Sequence, residues 1–343
     1  MANFIGKDSL LNLSKIIEAE NVKKALVFRG KKSYDFYKDL IEKELACEIV
    51  YYSDFSTNPK EEEIKKSIEL IDKDFDIIIA IGGGSVIDFA KGYRYYSKSS
   101  KKIIAIPTTF GTGSEATQFA VIYVDGKKHS LDEKSILPEF AIVDSLFAKY
   151  NPKYLKACTA MDAYCQAIES YWSVKSNEES RAYAKKAIEL CKNNIVEYVN
   201  TNSDDVAEKI AEASNLAGMA INISRTTAAH ALSYAITTKY GVPHGHAVAY
   251  SIAALFDINM KISEKNITDS RGLDFVCARM EELKNIITDD PIVYFAKLFN
   301  DIGLEFLQID AEEVADSVNE QRLANNPRML TKQDCINVLL NRI

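Results

Sequence analysis

No stretch of this 343-residue chain approaches the roughly 18 apolar residues that a membrane-spanning helix needs, and its first residues lack the apolar core of a secretion signal. We therefore expect a cytoplasmic protein without a membrane partner. Long basic blocks are also missing and the formal net charge is −7, which argues against nucleic acid as a partner.

The cysteines are scattered and contain no Cys-x-x-Cys pair. This spacing is typical of buried thiols in a reducing compartment and argues against both disulfides and a cysteine-based zinc site. The six positions are Cys47, Cys158, Cys165, Cys191, Cys277 and Cys335.

The chain does contain a distinctive glycine run. Residues 75–92 read FDIIIAIGGGSVIDFAKG, a β-branched apolar segment followed by Gly82, Gly83, Gly84 and a helical pattern. The segment predicts a strand buried on both faces of a parallel sheet, with Ser85 as the N-cap of the next helix. Glycines open the main chain to a ligand and a helix N-terminus offers free N–H groups, which favours a phosphate or pyrophosphate site. A plain β–α turn is the alternative, because the spacing matches neither the Gly-x-Gly-x-x-Gly fingerprint nor a P-loop.

Strand and helix patterns alternate through the first 150 residues, which predicts a doubly wound, mostly parallel sheet with ligands at the carboxyl ends of its strands. A second loop of small and hydroxyl residues, TTFGTGSEAT, follows the strand Ile103–Pro107, and Asp125-Gly126 predicts a hairpin. Asp88 and Lys91 place one acid and one base in the helix after the glycine run, a pattern typical of a solvated face.

The pattern changes around Asn151-Pro152 to alanine-rich helical segments. We therefore expect an α/β domain over residues 1–150 and an all-helical domain over residues 151–343.

A second group of polar residues falls in the helical part. Asp162 and Gln166 are four residues apart, so they share one face of a helix, and His230, His244 and His246 are three of only four histidines in the chain. Oxygen and imidazole ligands suit zinc or ferrous iron. Each histidine taken alone is more often a structural residue, so spacing alone leaves a metal site and a set of structural histidines both open.

Four ordered motifs carry a family resemblance: GGGSVIDFAK, PTTFGTGSEAT, the MDAxxxAIES helix, and His230 with the PHG segment. The chain resembles the iron-containing (group III) alcohol dehydrogenases, which share their fold with glycerol dehydrogenase and dehydroquinate synthase. The resemblance implies a nucleotide-binding α/β domain, an all-helical domain, and a cleft that holds a nicotinamide cofactor and a divalent metal. A homodimer is expected, since dimers are common among such enzymes.

The resemblance assigns roles by position. Asp162, His230 and His244 match three of the family's four metal ligands, with Fe²⁺ or Zn²⁺ as the expected ion. His246 and Tyr234 are candidates for proton relay, and Arg225 is a candidate contact for an anionic substrate. The cofactor-binding candidates are Gly82, Gly83, Gly84, Ser85, Asp88, Thr108, Thr109, Thr112 and Lys128, together with Gly30, Lys31 and Lys32.

Three positions depart from the family pattern. Gln166 stands where the fourth ligand is a histidine, and an amide oxygen is a poorer donor to zinc or iron, so affinity or ion preference is expected to differ. Tyr234 replaces a histidine proposed to relay protons, and it is equally well explained as a packed aromatic residue. Gly30 replaces an aspartate that contacts the adenosine ribose, so nothing there repels a 2′-phosphate and NADPH is expected over NADH.

A finer resemblance is to the phosphonoacetaldehyde reductases, carried by FGTGSEATQFAVIYVDGKKHSL, MDAYCQAIESYWSV, RTTAAHALSY and PHGHAVA. It implies reduction of 2-phosphonoacetaldehyde to 2-hydroxyethylphosphonate. Three alternatives stay open at this point. They are a general short-chain alcohol or polyol dehydrogenase, a lyase of the dehydroquinate synthase type, and a nucleotide-binding protein that has lost its metal.

Overall fold

The computed structural model describes residues 1–318 and 320–340, without the side chains of Lys32, Glu320 and Gln321. The predicted role of the Lys32 side chain therefore lies outside the described part. The chain divides into two compact units, Met1–Tyr150 and Asn151–Ile343. None of the helices among the described residues combines the length and apolar character required to cross a bilayer.

The first unit contains eight strands and five α-helices in the described chain. The strands are β1 (Ala2–Ile5), β2 (Lys24–Arg29), β3 (Glu48–Tyr52), β4 (Ile77–Gly82), β5 (Ile103–Pro107), β6 (Phe119–Val124), β7 (Lys127–Asp132) and β8 (Phe140–Val143). The helices are α1 (Asn12–Ala19), α2 (Lys31–Lys43), α3 (Glu61–Leu70), α4 (Gly84–Ser97) and α5 (Leu146–Lys149).

Six strands form one parallel sheet in the order β1-β8-β5-β4-β2-β3. The chain moves outward from β2 to β3 and then, after β4, in the opposite direction to β5. The carboxyl ends of β2 and β4 therefore meet at the switch point, where α/β sheets bind their ligands. The predicted α/β class is confirmed, although the short edge strand β1 was not predicted.

Alternate residues of the central strands enter two different cores, one on each face of the sheet. On β4, Ile77, Ile79 and Ile81 pack on one side and Ile78 and Ala80 on the other. A strand buried on both faces needs apolar side chains at every position, which explains the unbroken apolar run before the glycines.

The helix after the glycine run begins earlier than predicted. Gly83 is its N-cap and its carbonyl accepts from the N–H groups of Val86 and Ile87, so the prediction of Ser85 as N-cap is wrong. Gly82, Gly83 and Gly84 all avoid the left-handed region. They are needed for space instead, since a Cβ on Gly82 would lie 2.4 Å from Val86 Cγ2.

The predicted hairpin at Asp125-Gly126 joins β6 and β7, which pair antiparallel outside the main sheet. Asp125 (φ 49°) and Gly126 (φ 72°) both have left-handed backbones, the requirement of the tightest hairpin turn.

The second unit is built from helices in its described residues, as predicted. They are α6 (Lys153–Trp172), α7 (Glu178–Asn200), α8 (Asp204–Ser224), α9 (Ala228–Tyr240), α10 (His244–Met260), α11 (Leu273–Ile287), α12 (Pro291–Ile302), α13 (Ala311–Asp316), α14 (Glu320–Leu323) and α15 (Lys332–Leu340). Helix α6 is buried on all sides from Lys156 to Trp172, apart from Thr159. A helix that is buried all round lies in the interior of its unit, so α6 is the central helix of this one.

Lys91 contradicts the expectation of a solvated face on α4. Its side chain is fully buried, and its ammonium donates to the carbonyl of Phe119 (2.7 Å) and to the hydroxyls of Ser114 (3.0 Å) and Thr117 (3.2 Å). Burial lowers the pKa of Lys91 to about 8, although the charges of Asp88 and Glu115 oppose the shift. The loop after β5 is thus fastened to α4 by one buried cation.

We expect Lys91→Met to lower the free energy of unfolding by about 3 kcal/mol, because it leaves Asp88 and several buried acceptors without their cation. Urea denaturation measures the change. Lys65→Ala, at an exposed lysine of α3, is the control and should cost less than about 1 kcal/mol. Equal effects of the two substitutions would contradict this account of Lys91.

Candidate functional site

The glycine run and the loop after β5 lie against each other in the first unit. A Cβ on Gly83 would lie 3.2 Å from Thr109 Oγ1, and one on Gly84 would lie 2.7 Å from Thr112 Oγ1. Thr108 N–H donates to the Gly82 carbonyl at 3.0 Å. The structure thus brings together the predicted cofactor residues of both loops, beside the N-terminus of α4, where N–H groups attract a phosphate.

Asp88 lies in the same region but is turned toward the protein. Its carboxylate accepts from Ser114 Oγ (2.6 Å) and from Val121 N–H (3.0 Å). Burial raises the pKa of Asp88, while the charges of Lys91 and, less strongly, Lys128 oppose the shift. Asp88 therefore holds the loop and β6 in place, and Lys128 on β7 is close enough to act on it electrostatically.

Gly30 directly follows β2 beside the glycine run and is the N-cap of α2. Its N–H donates to the Ile81 carbonyl at 3.0 Å, and Lys31 begins the helix. Arg29 pairs with Asp35 at 3.1 Å and lies 4.8 Å from the centre of the Tyr34 ring. The turn that follows β2 is therefore at the switch point, and Asp35 partly neutralises the charge of Arg29.

Three of the predicted metal ligands meet in the second unit. Asp162 is on α6, His230 on α9 and His244 at the start of α10, and one ligand atom of each lies within 4.8 Å of the others. Asp162 Oδ1 is 3.4 Å from His230 Nε2 and 4.0 Å from His244 Nε2.

The two buried atoms of this cluster fit a divalent ion. Among the described residues, neither Asp162 Oδ1 nor His230 Nε2 has a hydrogen-bond partner, although both are buried. Leaving buried polar atoms unsatisfied is costly, and an ion between them removes that cost. Carboxylate oxygen and imidazole nitrogen are also the donors that zinc and ferrous iron accept.

Glu169 orients His230, and sequence reasoning missed it. Its carboxylate is fully buried, contacts His230 Nδ1 through Oε2, and accepts through Oε1 from Thr227 N–H (3.0 Å) and Ala229 N–H (2.8 Å). Nδ1 thus carries the proton and Nε2 points toward Asp162, the arrangement of a metal-binding histidine. Burial lowers the pKa of His230, but Glu169 and Asp162 outweigh it and raise the pKa to about 9. The available signal was the spacing of Glu169, seven residues after Asp162 on one helix face.

Gly245 lets α10 approach α6 closely enough to bring in His244. A Cβ at this position would lie 1.9 Å from the carbonyl oxygen of Cys158 and 3.0 Å from Asp162 Cβ. No larger residue fits without moving backbone, which explains the glycine of the PHG motif.

The other candidates of this unit surround the cluster in different ways. Gln166 is buried one turn after Asp162 on α6, so it lies over the same face. Tyr234 stacks on His244, with ring centres 6.0 Å apart. His246 lies apart from the three clustered ligands, and both its ring nitrogens are used: Nδ1 meets Tyr154 Oη at 3.0 Å and Nε2 meets the Glu305 carbonyl at 2.7 Å.

Arg225 follows α8 directly, at the start of the turn that leads to Thr227. Its backbone (φ 64°, ψ 174°) is in a region that is almost exclusive to glycine. One guanidinium N–H donates to the Asn222 carbonyl.

Fold and site together define a class: a protein with a doubly wound α/β unit and a helical unit that carries a candidate metal site. A family model described as "Iron-containing alcohol dehydrogenase" matches residues 2–145, and one described as "Fe-containing alcohol dehydrogenase family, C-terminal" matches residues 156–343. The chain belongs to the iron-containing alcohol dehydrogenase family.

Individual relatives agree with this assignment. Alcohol dehydrogenase 4 of Schizosaccharomyces pombe is 31% identical over 77% of this chain and 68% of that protein. Phosphonoacetaldehyde reductase of Streptomyces viridochromogenes is 28% identical over 75% of this chain and 74% of that protein. The crystal structure of sulfoacetaldehyde reductase from Bifidobacterium kashiwanohense in complex with NAD+ superposes with a TM-score of 0.88 at 25% identity, covering 99% of this chain and 96% of that one.

The protein is therefore an oxidoreductase of the alcohol dehydrogenase class, with a candidate metal site at Asp162, His230 and His244. This result disfavours the metal-free binding protein considered from the sequence, and the named relatives are dehydrogenases and reductases.

We expect Glu169→Gln to weaken zinc binding by about 10- to 100-fold, because the neutral amide no longer stabilises the orientation and basicity of His230. Competition with a chromogenic chelator measures the affinity without any need for activity. Glu179→Gln, on the exposed start of α7, is the matched control. Unchanged affinity in Glu169→Gln would contradict the role assigned to this carboxylate.

Proposed function

We propose that this enzyme uses NADPH to reduce a short aldehyde that carries an anionic group, with 2-phosphonoacetaldehyde as substrate and 2-hydroxyethylphosphonate as product. The observation that carries the proposal is the chemistry shared by two similar proteins. The names of one relative and one structural neighbour specify two-carbon aldehydes with a phosphonate and a sulfonate tail. Both tails need cationic or N–H donors in the substrate site.

In this proposal Asp162, His230 and His244 hold the ion, with Gln166 one turn along α6 as the fourth candidate. When bound, the nicotinamide supplies hydride and the divalent ion supplies Lewis acidity toward the aldehyde oxygen. Glu169 keeps the Nε2 lone pair of His230 directed at the ion. Gly82, Gly83, Gly84 and Ser85, with Thr108, Thr109 and Thr112, bind the cofactor phosphates and keep the cofactor in place.

For the proton that completes the alcohol, we favour Tyr234 over His246. Tyr234 stacks on His244, with ring centres 6.0 Å apart. Burial raises the pKa of Tyr234, Arg322 opposes the shift, and the charges of Glu169 and Asp162 add to it, so these carboxylates act on its phenol. His246 already uses both ring nitrogens in contacts with Tyr154 and with the Glu305 carbonyl, which supports a structural role.

Arg225 is the candidate contact for the anionic tail that the sequence suggested. A backbone in a region that favours glycine costs about 1–3 kcal/mol for other residues, and such strain is concentrated at functional sites. The unusual backbone of Arg225 therefore supports a functional role for this residue. The expected homodimer stays a prediction, and light scattering would test it.

Substrate profiling tests the proposed function. On protein reconstituted with ferrous iron or zinc, we expect kcat/KM for phosphonoacetaldehyde to exceed that for propanal and glyceraldehyde at least about 100-fold, or about 2.7 kcal/mol of transition-state binding. We expect kcat/KM for sulfoacetaldehyde also to exceed those for propanal and glyceraldehyde. Similar values for all the aldehydes would leave a general short-chain alcohol dehydrogenase, and no oxidation of NADPH or NADH would favour a lyase.

Gly30→Asp tests the preference for NADPH. The new carboxylate repels a 2′-phosphate and accepts from ribose hydroxyls, so we expect the ratio of kcat/KM for NADPH to that for NADH to fall about tenfold or more. Gly30 has φ −68° and ψ 147°, which aspartate adopts readily as an N-cap, and an added Cβ would lie within 3 Å of Ser33 Oγ alone. Gly30→Asn is the uncharged control. An equal change in both variants would show that sterics, not charge, set the ratio.

A further inference from the structure

Arg322 occupies a position beside the metal cluster that no sequence motif indicated. It is on α14, and its guanidinium carbon lies 4.3 Å from the centre of the Tyr234 ring. Tyr234 in turn stacks on His244 with an angle of 19° between the rings. The Arg322 guanidinium, the Tyr234 ring and the His244 ring therefore form a row.

The spacing of this row suits a short substrate. The two centre-to-centre distances, 6.0 Å and 4.3 Å, place the guanidinium carbon at most about 10 Å from the His244 ring. In a two-carbon aldehyde presented to the cluster, three bonds of about 1.5 Å each or slightly more separate the carbonyl carbon from the phosphonate oxygens. Arginine N–H groups extend from the guanidinium carbon toward such a tail.

The charge of Arg322 is available for a ligand. Within the part of the chain that the structure describes, Arg322 forms no ion pair with a carboxylate. The residue is half-buried, so its charge is screened less than that of an exposed arginine. Arg322 also forms a side-chain hydrogen bond with Tyr234. A guanidinium carries five N–H donors, so others are left to bind phosphonate or sulfonate oxygens in pairs.

We propose that Arg322 is a specificity-determining residue that binds the anionic tail of the substrate. This inference rests on the proposed function, since it presupposes an anionic aldehyde. Tyr234 holds the guanidinium in place through the ring contact, while Tyr234 itself is held by its stacking on His244. Neutral aldehydes gain nothing from Arg322.

The test compares Arg322→Gln and Arg322→Lys with the wild-type enzyme, reconstituted with zinc, on phosphonoacetaldehyde and on propanal. In Arg322→Gln, we expect kcat/KM for phosphonoacetaldehyde to fall about 30-fold or more and that for propanal to stay within about threefold, since only the anion loses a charge-assisted hydrogen bond. Arg322→Lys keeps the charge without the paired donors, so its kcat/KM for phosphonoacetaldehyde should lie between those of the wild type and Arg322→Gln. Arg181→Gln is the matched control, because Arg181 also packs on an aromatic ring, that of Phe275.

A second readout needs no turnover. Ethylphosphonate binding, measured by calorimetry in the presence of NADPH, should weaken about 30-fold in Arg322→Gln and stay unchanged in Arg181→Gln. Thermal unfolding of each variant establishes that it is folded.

The outcomes separate the two proposals. If the wild type prefers phosphonoacetaldehyde and Arg322→Gln keeps that preference, the assignment of Arg322 is wrong and the proposed function stands. Equal losses on both aldehydes also overturn it, because Arg322 then acts only by holding Tyr234. If the wild type shows no preference for the anion, the proposed function fails and the role of Arg322 fails with it.

Discussion

The candidate metal site depends on one buried carboxylate. Glu169 is fully enclosed, yet each of its oxygens is satisfied, one by the N–H groups at the start of α9 and the other by the His230 ring. The same group therefore fixes where α9 begins and how its histidine is turned. Thr227 adds its hydroxyl at 2.7 Å and receives the indole N–H of Trp172 at 2.9 Å, so the arrangement extends into the core. A buried charge is stable only when it is satisfied in this way.

Close approach of backbones is the second constraint, and it recurs in both units. Gly84 lets the threonine loop lie on the N-terminus of α4, and Gly245 lets α10 lie on α6. Neither position requires an unusual backbone angle, since both glycines are outside the left-handed region. In each case a missing side chain, not a special conformation, brings functional groups from separate elements together.

Much of this could be predicted from the sequence because the signals were local. The apolar run before the glycines, the hairpin at Asp125-Gly126 and the helical pattern after Asn151 each follow from neighbouring residues. Asp162, His230 and His244 were identified through motifs. The family resemblance implied that they hold one ion, whereas their spacing alone left this open, since their convergence depends on the packing of α6, α9 and α10.

The failures have a common cause, which is that burial of a charged residue depends on tertiary partners. Lys91 looks like a solvated lysine until the loop after β5 supplies its acceptors, and Glu169 looks like an ordinary helix residue until Thr227 and His230 surround it. Arg322 gave no signal because its partner, Tyr234, is 88 positions earlier in the chain.

Helix α6 carries Asp162, Gln166 and Glu169 along a single face, on a rod that is enclosed by its neighbours. Glu169, which orients His230, and Gln166, one turn beyond Asp162, are therefore separate positions on one buried helix. In the proposed site, a substitution at residue 166 would change the ligands offered to the ion without disturbing the contact of Glu169 with His230. The choice of ion and the orientation of the histidine are then separate properties of one helix.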